Sequence, residues 1–391
     1  LVKEPLDVCR EPALLPMSSD GSLLFLALAS EGAPDPEARH DLGADRDLDI
    51  YQLDLRTGET RVLVDDPGDD RAPILADGWL YWTHNNYQSS VVFVPVSGGE
   101  SRLVLDEAEC SRWHPGGRRL SFKYGGSRLV DAGLWWTVGA VDVDEDGNPV
   151  SGRVPIVDGY NQDNWLTWSP DGDWVVYHSH RSPDPIAYFG EGEWVDDIFL
   201  RPTEASQEEE IRLTDFGRET WNPDWSPDGS EIVFTTFPVG EDGVTLWMIG
   251  IDPETGQHST AQSVALPDDM GEVAWARWSP EGELAVVEVI PGPRIRALRI
   301  RDLDGSWSER LVEFDGRWVT LDWTPDGMNI IYSDMFDGRL QIFTIPRSGG
   351  EPRRLSSDDM HLSFPDVSPD GRWIALTRFD NYQELRRLRL R

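Results

Sequence analysis

Two imidazoles one residue apart, His178 and His180, end the apolar run that begins at Trp174. Residues two apart on a strand point to the same face, so a neutral pair there can share a divalent metal ion or relay a proton. Arg181 follows directly, and its planar guanidinium suits a carboxylate held by two hydrogen bonds. Comparable positions elsewhere collect similar groups: His84, Asn85, Tyr87 and Gln88, then Tyr124 beside Lys123, then His361, then Arg378 with Tyr382. Taken as a catalytic set, His84, His178, His180 or His361 would serve as base or metal ligand, and Tyr87, Tyr124 or Tyr382 as proton donor. Arg181, Arg378, Asn85 and Gln88 would then contact the ligand. The competing reading is structural: a His-Arg pair ends a strand and hydrogen-bonds a neighbouring loop.

A second candidate is Asp142-Val143-Asp144-Glu145-Asp146-Gly147, which matches the opening of a calcium loop. The match fails at Val150 and Arg153, where that loop needs an oxygen donor and a glutamate. Asp142, Asp144 and Asp146 therefore read better as a solvated turn, with a bound divalent ion as the alternative and no cofactor predicted. Among the tryptophans, Trp168, Trp225, Trp278 and Trp323 recur just before a turn and read as packing residues. Trp165, Trp221, Trp275 and Trp318 lie earlier in the strand, where they either pack or stack on a sugar or peptide. No nucleophile elbow, phosphate loop, paired-cysteine motif or His-Glu-x-x-His pattern occurs. A serine hydrolase has no support here.

The elements that must position these residues follow from a repeat. Ser-Pro-Asp-Gly-like turns occur at Ser18 to Gly21, Leu75 to Gly78, His114 to Gly117, Ser169 to Gly172, Ser226 to Gly229, Ser279 to Gly282, Thr324 to Gly327 and Ser368 to Gly371. Each sits between two short apolar runs, with a third and a fourth run behind it. Proline presets the turn, aspartate bonds its own backbone, and glycine accepts the left-handed position. Four short strands per unit, repeated over the whole chain, predict an all-β fold: one β-propeller domain over 1–391 with eight blades. Leu1 to Glu4 aligns with the fourth strand of a blade, so the sequence predicts that it pairs with Glu384 to Arg391 and closes the ring. The loops after second strands, and the residues above, would then share one face around the channel mouth.

Charge narrows the partners. Seventy-one acidic against 35 basic residues leave a formal charge of -36, which disfavours nucleic acid and anionic membrane surfaces because both need a basic footprint. No apolar stretch reaches the ~18 residues of a membrane span. Cys9 and Cys110 fall in separated blades, and no disulfide is expected between them.

The units Trp168-Ser169-Pro170-Asp171-Gly172-Asp173-Trp174-Val175-Val176-Tyr177 and Trp225 to Phe234 lead into an Asp-Ile-Phe or Leu-Trp third strand. An Arg-Leu-Thr fourth strand follows in the first of them. Together they resemble the TolB-type propeller repeat, which also builds the propellers of prolyl-oligopeptidase-family peptidases and of oligogalacturonate-lyase-like enzymes. The resemblance implies a propeller, a periplasmic or secreted setting, and three functions. The first is a non-catalytic module engaging a protein segment or small ligand at the channel mouth, through Arg181, Arg378, Asn85, Gln88, Trp221 and Trp318. The second is a carbohydrate-active lyase using the histidines and tyrosines above, with an arginine on a uronate carboxylate. The third is a peptidase-associated propeller without its hydrolase domain. Eight blades without a flanking domain depart from TolB, which resembles a six-bladed ring preceded by a small domain.

Overall fold

The computed structural model describes residues 17, 22–29, 48–64, 69–76, 79–125, 136–157, 162–180, 196–203, 210–217, 219–236, 245–290, 295–316, 318–357 and 359–389. Of residues 83–88, 180 and 380–385, among others, it describes the backbone alone. Every regular element among the described residues is a β-strand, and none of them forms a helix long and apolar enough to cross a membrane. The chain divides into two compact units. One comprises 1–88, 127–131 and 380–391, the other 89–126 and 132–379.

In the smaller unit, β1 (Leu23–Ala29) pairs antiparallel with β2 (Leu48–Asp54), and β3 (Thr60–Val64) adds to β2. Next, β4 (Asp69–Ala76) forms a hairpin with the opening half of β5 (Trp79–Pro95). Phe25, Ile50, Val64, Leu80 and Trp82 form its core.

The larger unit repeats one design. After β6 (Arg102–Asp106) come β7 (Glu109–Trp113), β8 (Arg119–Gly125), β9 (Trp136–Asp142) and β10 (Val154–Val157). A second four-stranded set, joined to the first by the parallel pairing of Gln162 with Trp136, holds β11 (Gln162–Trp168), β12 (Trp174–His180), β13 (Asp196–Pro202) and β14 (Ile211–Arg212). A third holds β15 (Thr220–Trp225), β16 (Glu231–Thr236), β17 (Thr245–Gly250) and β18 (Gln262–Ser263). The fourth has β19 (Glu272–Trp278), β20 (Leu284–Val289), β21 (Arg296–Arg301) and β22 (Val312–Phe314). The fifth has β23 (Leu321–Trp323), β24 (Asn329–Phe336), β25 (Arg339–Pro346) and β26 (Arg353–Arg354). The sixth joins β27 (His361–Val367) and the opening of β28 (Trp373–Arg389) to the closing half of β5 and to β6. The Val96 N–H donates to the Arg372 carbonyl at 3.0 Å, and Val92 and Val94 share a core with Ile374 and Leu376. The inner strands β7, β11, β15, β19, β23 and β27 touch in succession, and β27 touches β7.

Among the described residues the strands of the larger unit fall into six four-stranded sets, two of them joined into one eight-stranded sheet by the parallel pairing of Gln162 with Trp136, and the first two of the eight predicted repeats fall wholly or in part in the smaller unit. The neighbour that β28 gains is β5, while Leu1 to Glu4 lie outside the described residues. Likewise, His84 to Gln88 and Asp380 to Tyr382, expected in loops, lie inside β5 and β28. The reason is local. Neither Trp79 to Val94 nor Trp373 to Arg389 contains a glycine or proline, so nothing interrupts the extended backbone. Residues 181–195 and 237–244, which do carry both breakers, separate distinct strands.

The turns form as the sequence implies. At Ser226 to Gly229, the Ser226 Oγ donates to Asp228 at 2.7 Å and accepts from the Glu231 N–H at 2.9 Å. Gly229 takes φ 72°, the left-handed region that a β-carbon disfavours. The preceding tryptophans wedge between sheets: Trp168 Nε1 donates to Ser121 Oγ at 3.0 Å, and Trp323 Nε1 to the Arg277 carbonyl at 3.2 Å.

Candidate functional site

The inner strands touch one another in succession and each ends at its turn, so residues at matching positions form layers. Three residues before the turn-flanking position stand Cys110, Trp165, Asn222, Trp275, Thr320 and Phe364. Cys110, Trp165, Asn222 and Phe364 have φ of 52°, 44°, 56° and 54°. The ladders of β7, β11, β15 and β27 shift register at those residues. Such a bulge leaves one residue unpaired and re-aims its side chain, which brings rings from separate sheets together. Trp165 lies 5.3 Å from Trp221, 6.0 Å from Trp275 and 6.0 Å from Phe364, centroid to centroid. Its Nε1 donates to Cys110 Sγ at 3.0 Å.

His178, on β12, underlies this aromatic layer. Its ring lies 4.8 Å from Trp165 and stacks on Trp221 at 5.8 Å with a 10° interplanar angle. Burial pushes its pKa down to about 4, with Lys123 adding to the effect and Asp196 opposing it. The imidazole is therefore neutral at neutral pH, and its Nδ1 has no hydrogen-bond partner among the described residues. Nearby, Lys123 pairs with Glu109 at 3.5 Å, both side chains largely buried. Burial pushes the free Cys110 thiol up to about 12, so it is an inert thiol rather than a nucleophile.

One residue before the turn-flanking position lies a second layer that sequence reasoning missed: Arg112, Thr167, Asp224, Arg277, Asp322 and Asp366. Its signal was present, a polar residue at the same step of each of the last six repeats. The layer stitches sheets together. Asp366 accepts from Arg112 Nη1 at 2.8 Å and from the Trp113 N–H at 2.5 Å. Asp224 accepts from the Trp278 N–H at 2.8 Å, Asp322 from the Val367 N–H at 2.7 Å, and Thr167 donates to the Pro223 carbonyl at 3.0 Å. Burial pushes Asp224 up to about 8, and it raises Asp322 and Asp366 as well. For Arg112, burial works to lower the value, but Asp366, Asp322 and Asp224 outweigh it and hold the guanidinium charged. Among the described residues Arg277 has no such carboxylate. Its guanidinium lies 4.7 Å above the Trp275 ring and Nη1 donates to the Ala276 carbonyl at 3.0 Å.

The residues singled out from sequence separate. His178 and Trp221 meet in the aromatic layer. Trp318 is exposed and makes no ring contact with that layer among the described residues. Tyr124 is buried, 5.6 Å from Phe122, with Arg153 over its ring. His361 accepts at Nδ1 from the Leu340 N–H at 3.1 Å, and Arg378, part-buried on β28, sits opposite Leu362. The side chains of His84, Asn85, Tyr87, Gln88, His180 and Tyr382, and all of Arg181, lie outside the described residues. In the acidic loop, Asp142 pairs with Arg119 at 2.8 Å. Asp144 accepts from the Asn148 and Asp146 backbone N–H groups, at 2.8 and 3.0 Å. That is a self-satisfied turn. Among the described residues no three His, Cys, Asp or Glu side chains are grouped to hold a metal ion.

Comparison with known proteins bears on the fold. Residues 203–389 match the family model of the TolB beta propeller domain. An uncharacterized protein of Agrobacterium fabrum is 27% identical over 186 residues, covering 44% of this chain and 55% of that protein. The Tol-Pal system protein TolB of Francisella tularensis is 31% identical over 93 residues, 23% of this chain and 21% of that protein. The chain thus spans about half of the first relative and about a fifth of the second. A solved protein assigned as TolB from Agrobacterium tumefaciens superposes with a TM-score of 0.54 at 17% identity, covering 75% of this chain and 99% of that one.

Proposed function

We propose, from the match of residues 203–389 to the TolB beta propeller domain, that the larger unit is a non-catalytic binding module that takes a protein segment or small ligand at its channel mouth. The observation that carries this reading is the aromatic layer. Trp165, Trp221 and Phe364 are part-exposed rings held in one place by strands of three sheets. Aromatic side chains fixed in this way give large contact area with little rotamer entropy to lose. The chemistry around them argues against turnover. A histidine lowered to about 4 is a feeble general base, and a thiol raised to about 12 is no nucleophile. The acidic chain favours partners without dense negative charge, and a periplasmic or secreted setting goes with this reading.

The test uses the full chain against an array of short peptides, followed by calorimetric titration of the hits. Saturable binding that weakens by roughly 30-fold in Trp221→Ala, the cost of an aromatic hot spot, supports the module. Unsaturated product released from a polyuronate, with release abolished in His178→Ala, replaces it with the lyase.

A further inference from the structure

We propose that Arg277 forms a binding site for a small monoanion at the centre of the larger unit. The argument rests on the contrast between the two arginines of the ionic belt. Arg112 is 5% exposed and has a carboxylate at 2.8 Å. Arg277 is 2% exposed, and no carboxylate oxygen lies within 4.0 Å of it among the described residues. Its Nη1 is spent on the Ala276 carbonyl, while Nε and Nη2 have no hydrogen-bond partner there. Those two atoms are the side-on fork of a guanidinium, the edge whose parallel N–H bonds match a carboxylate or converge on a halide.

Among the described residues the belt's carboxylates do not pair with Arg277: Asp224 and Asp322 are each turned to a backbone N–H of the adjoining sheet, and Asp366 to the Trp113 N–H and Arg112. Trp275 offers the face of its ring, which attracts the cation but accepts neither fork hydrogen. A buried, permanently charged group needs a counter-charge as well as hydrogen bonds. Water meets only the second need; a monoanion meets both. Nearly complete burial of the guanidinium restricts the occupant to the size of chloride or formate, whether as a free ion or as the carboxylate end of a larger ligand. The site goes beyond the proposed function and stands whether or not the aromatic layer binds a segment.

Chloride NMR on the purified full chain tests it directly. The expected result is excess line broadening that saturates with chloride, is displaced by formate, disappears in Arg277→Met, and weakens at least tenfold in Arg277→Lys, which keeps charge but lacks the fork. Absence of excess broadening in the wild-type protein overturns the site, and so does broadening that persists unchanged in Arg277→Lys. The wild-type arm decides even if Arg277→Met fails to fold. Competition by a dipeptide with a free C-terminus, but not by its amide, assigns the site to a ligand carboxylate; competition by formate alone assigns it to a free ion. Peptide binding lost in Trp221→Ala with chloride broadening intact separates this site from the channel-mouth function.

Discussion

The aromatic layer and the ionic belt sit two residues apart on the same six strands, yet different forces hold them. In the aromatic layer, Trp165 touches three other aromatic rings and His178, and the cohesion comes from apolar area without directional demands. In the belt, cohesion comes from single short hydrogen bonds between one sheet's carboxylate and the next sheet's backbone. The first arrangement tolerates adjustment, as a surface that receives ligands requires. The second fixes the angle between sheets, because a carboxylate displaced by an ångström loses its N–H. On the proposed binding function, recognition and rigidity fall to separate layers of the same six strands.

Breaking the belt should cost most. Asp366→Ala removes the partner of Arg112 and the acceptor of the Trp113 N–H, and a stability loss of roughly 3–5 kcal/mol is expected by guanidinium denaturation, as for other buried charges stripped of a partner. A loss below ~1 kcal/mol would mean the belt does not stiffen the ring. Trp165→Ala should cost about 3 kcal/mol, the low end for a large aromatic because the ring is only half-buried. Its binding defect should exceed its stability defect; the reverse order would make the layer a core like any other.

Acid and base should distinguish the layers without mutation. His178 is held below its ordinary value of 6.5, so it favours the folded state above 6.5 and that contribution is lost as pH falls through about 4. Asp224 is held above its ordinary 3.8, so its contribution is complete below 3.8 and is lost as pH rises through about 8. Denaturation curves across this range should therefore show a shallower acid limb in His178→Gln and a shallower alkaline limb in Asp224→Asn. Equal effects of both variants on one limb would contradict the assignment. The smallest effect belongs to Thr167→Val, an isosteric loss of one bond to the Pro223 carbonyl, at about 1 kcal/mol.

Strand order within each sheet was legible because turn chemistry is local. The Asp-Ile-Phe run read as a third strand, Asp197 to Phe199, lies within β13, and the Ser226 to Gly229 turn joins β15 to β16. The strand that completes the sixth set was not, since the closing half of β5 lies some 280 residues before β28, and only the uninterrupted run from Trp79 to Val94 hinted at it. The aromatic layer was half visible. Trp165, Trp221 and Trp275 stood out by position, but Phe364 and His178 join them only through bulges that sequence spacing does not reveal. The belt was written in the last six repeats, yet a single Asp or Arg in a strand ordinarily reads as a solvated face, and only the six taken together expose the pattern.

The sixth sheet draws Val91-Val92-Phe93-Val94 from early in the chain and Trp373 to Phe379 from near its end. During synthesis the early strand leaves the ribosome some 280 residues before its partner. Until then one of its edges carries unpaired backbone groups on one of the most apolar stretches of the molecule, the kind of edge that recruits other chains. Production of this protein should consequently be limited by how well that waiting edge is shielded, by a chaperone or by slow growth at low temperature, more than by the stability of the finished ring.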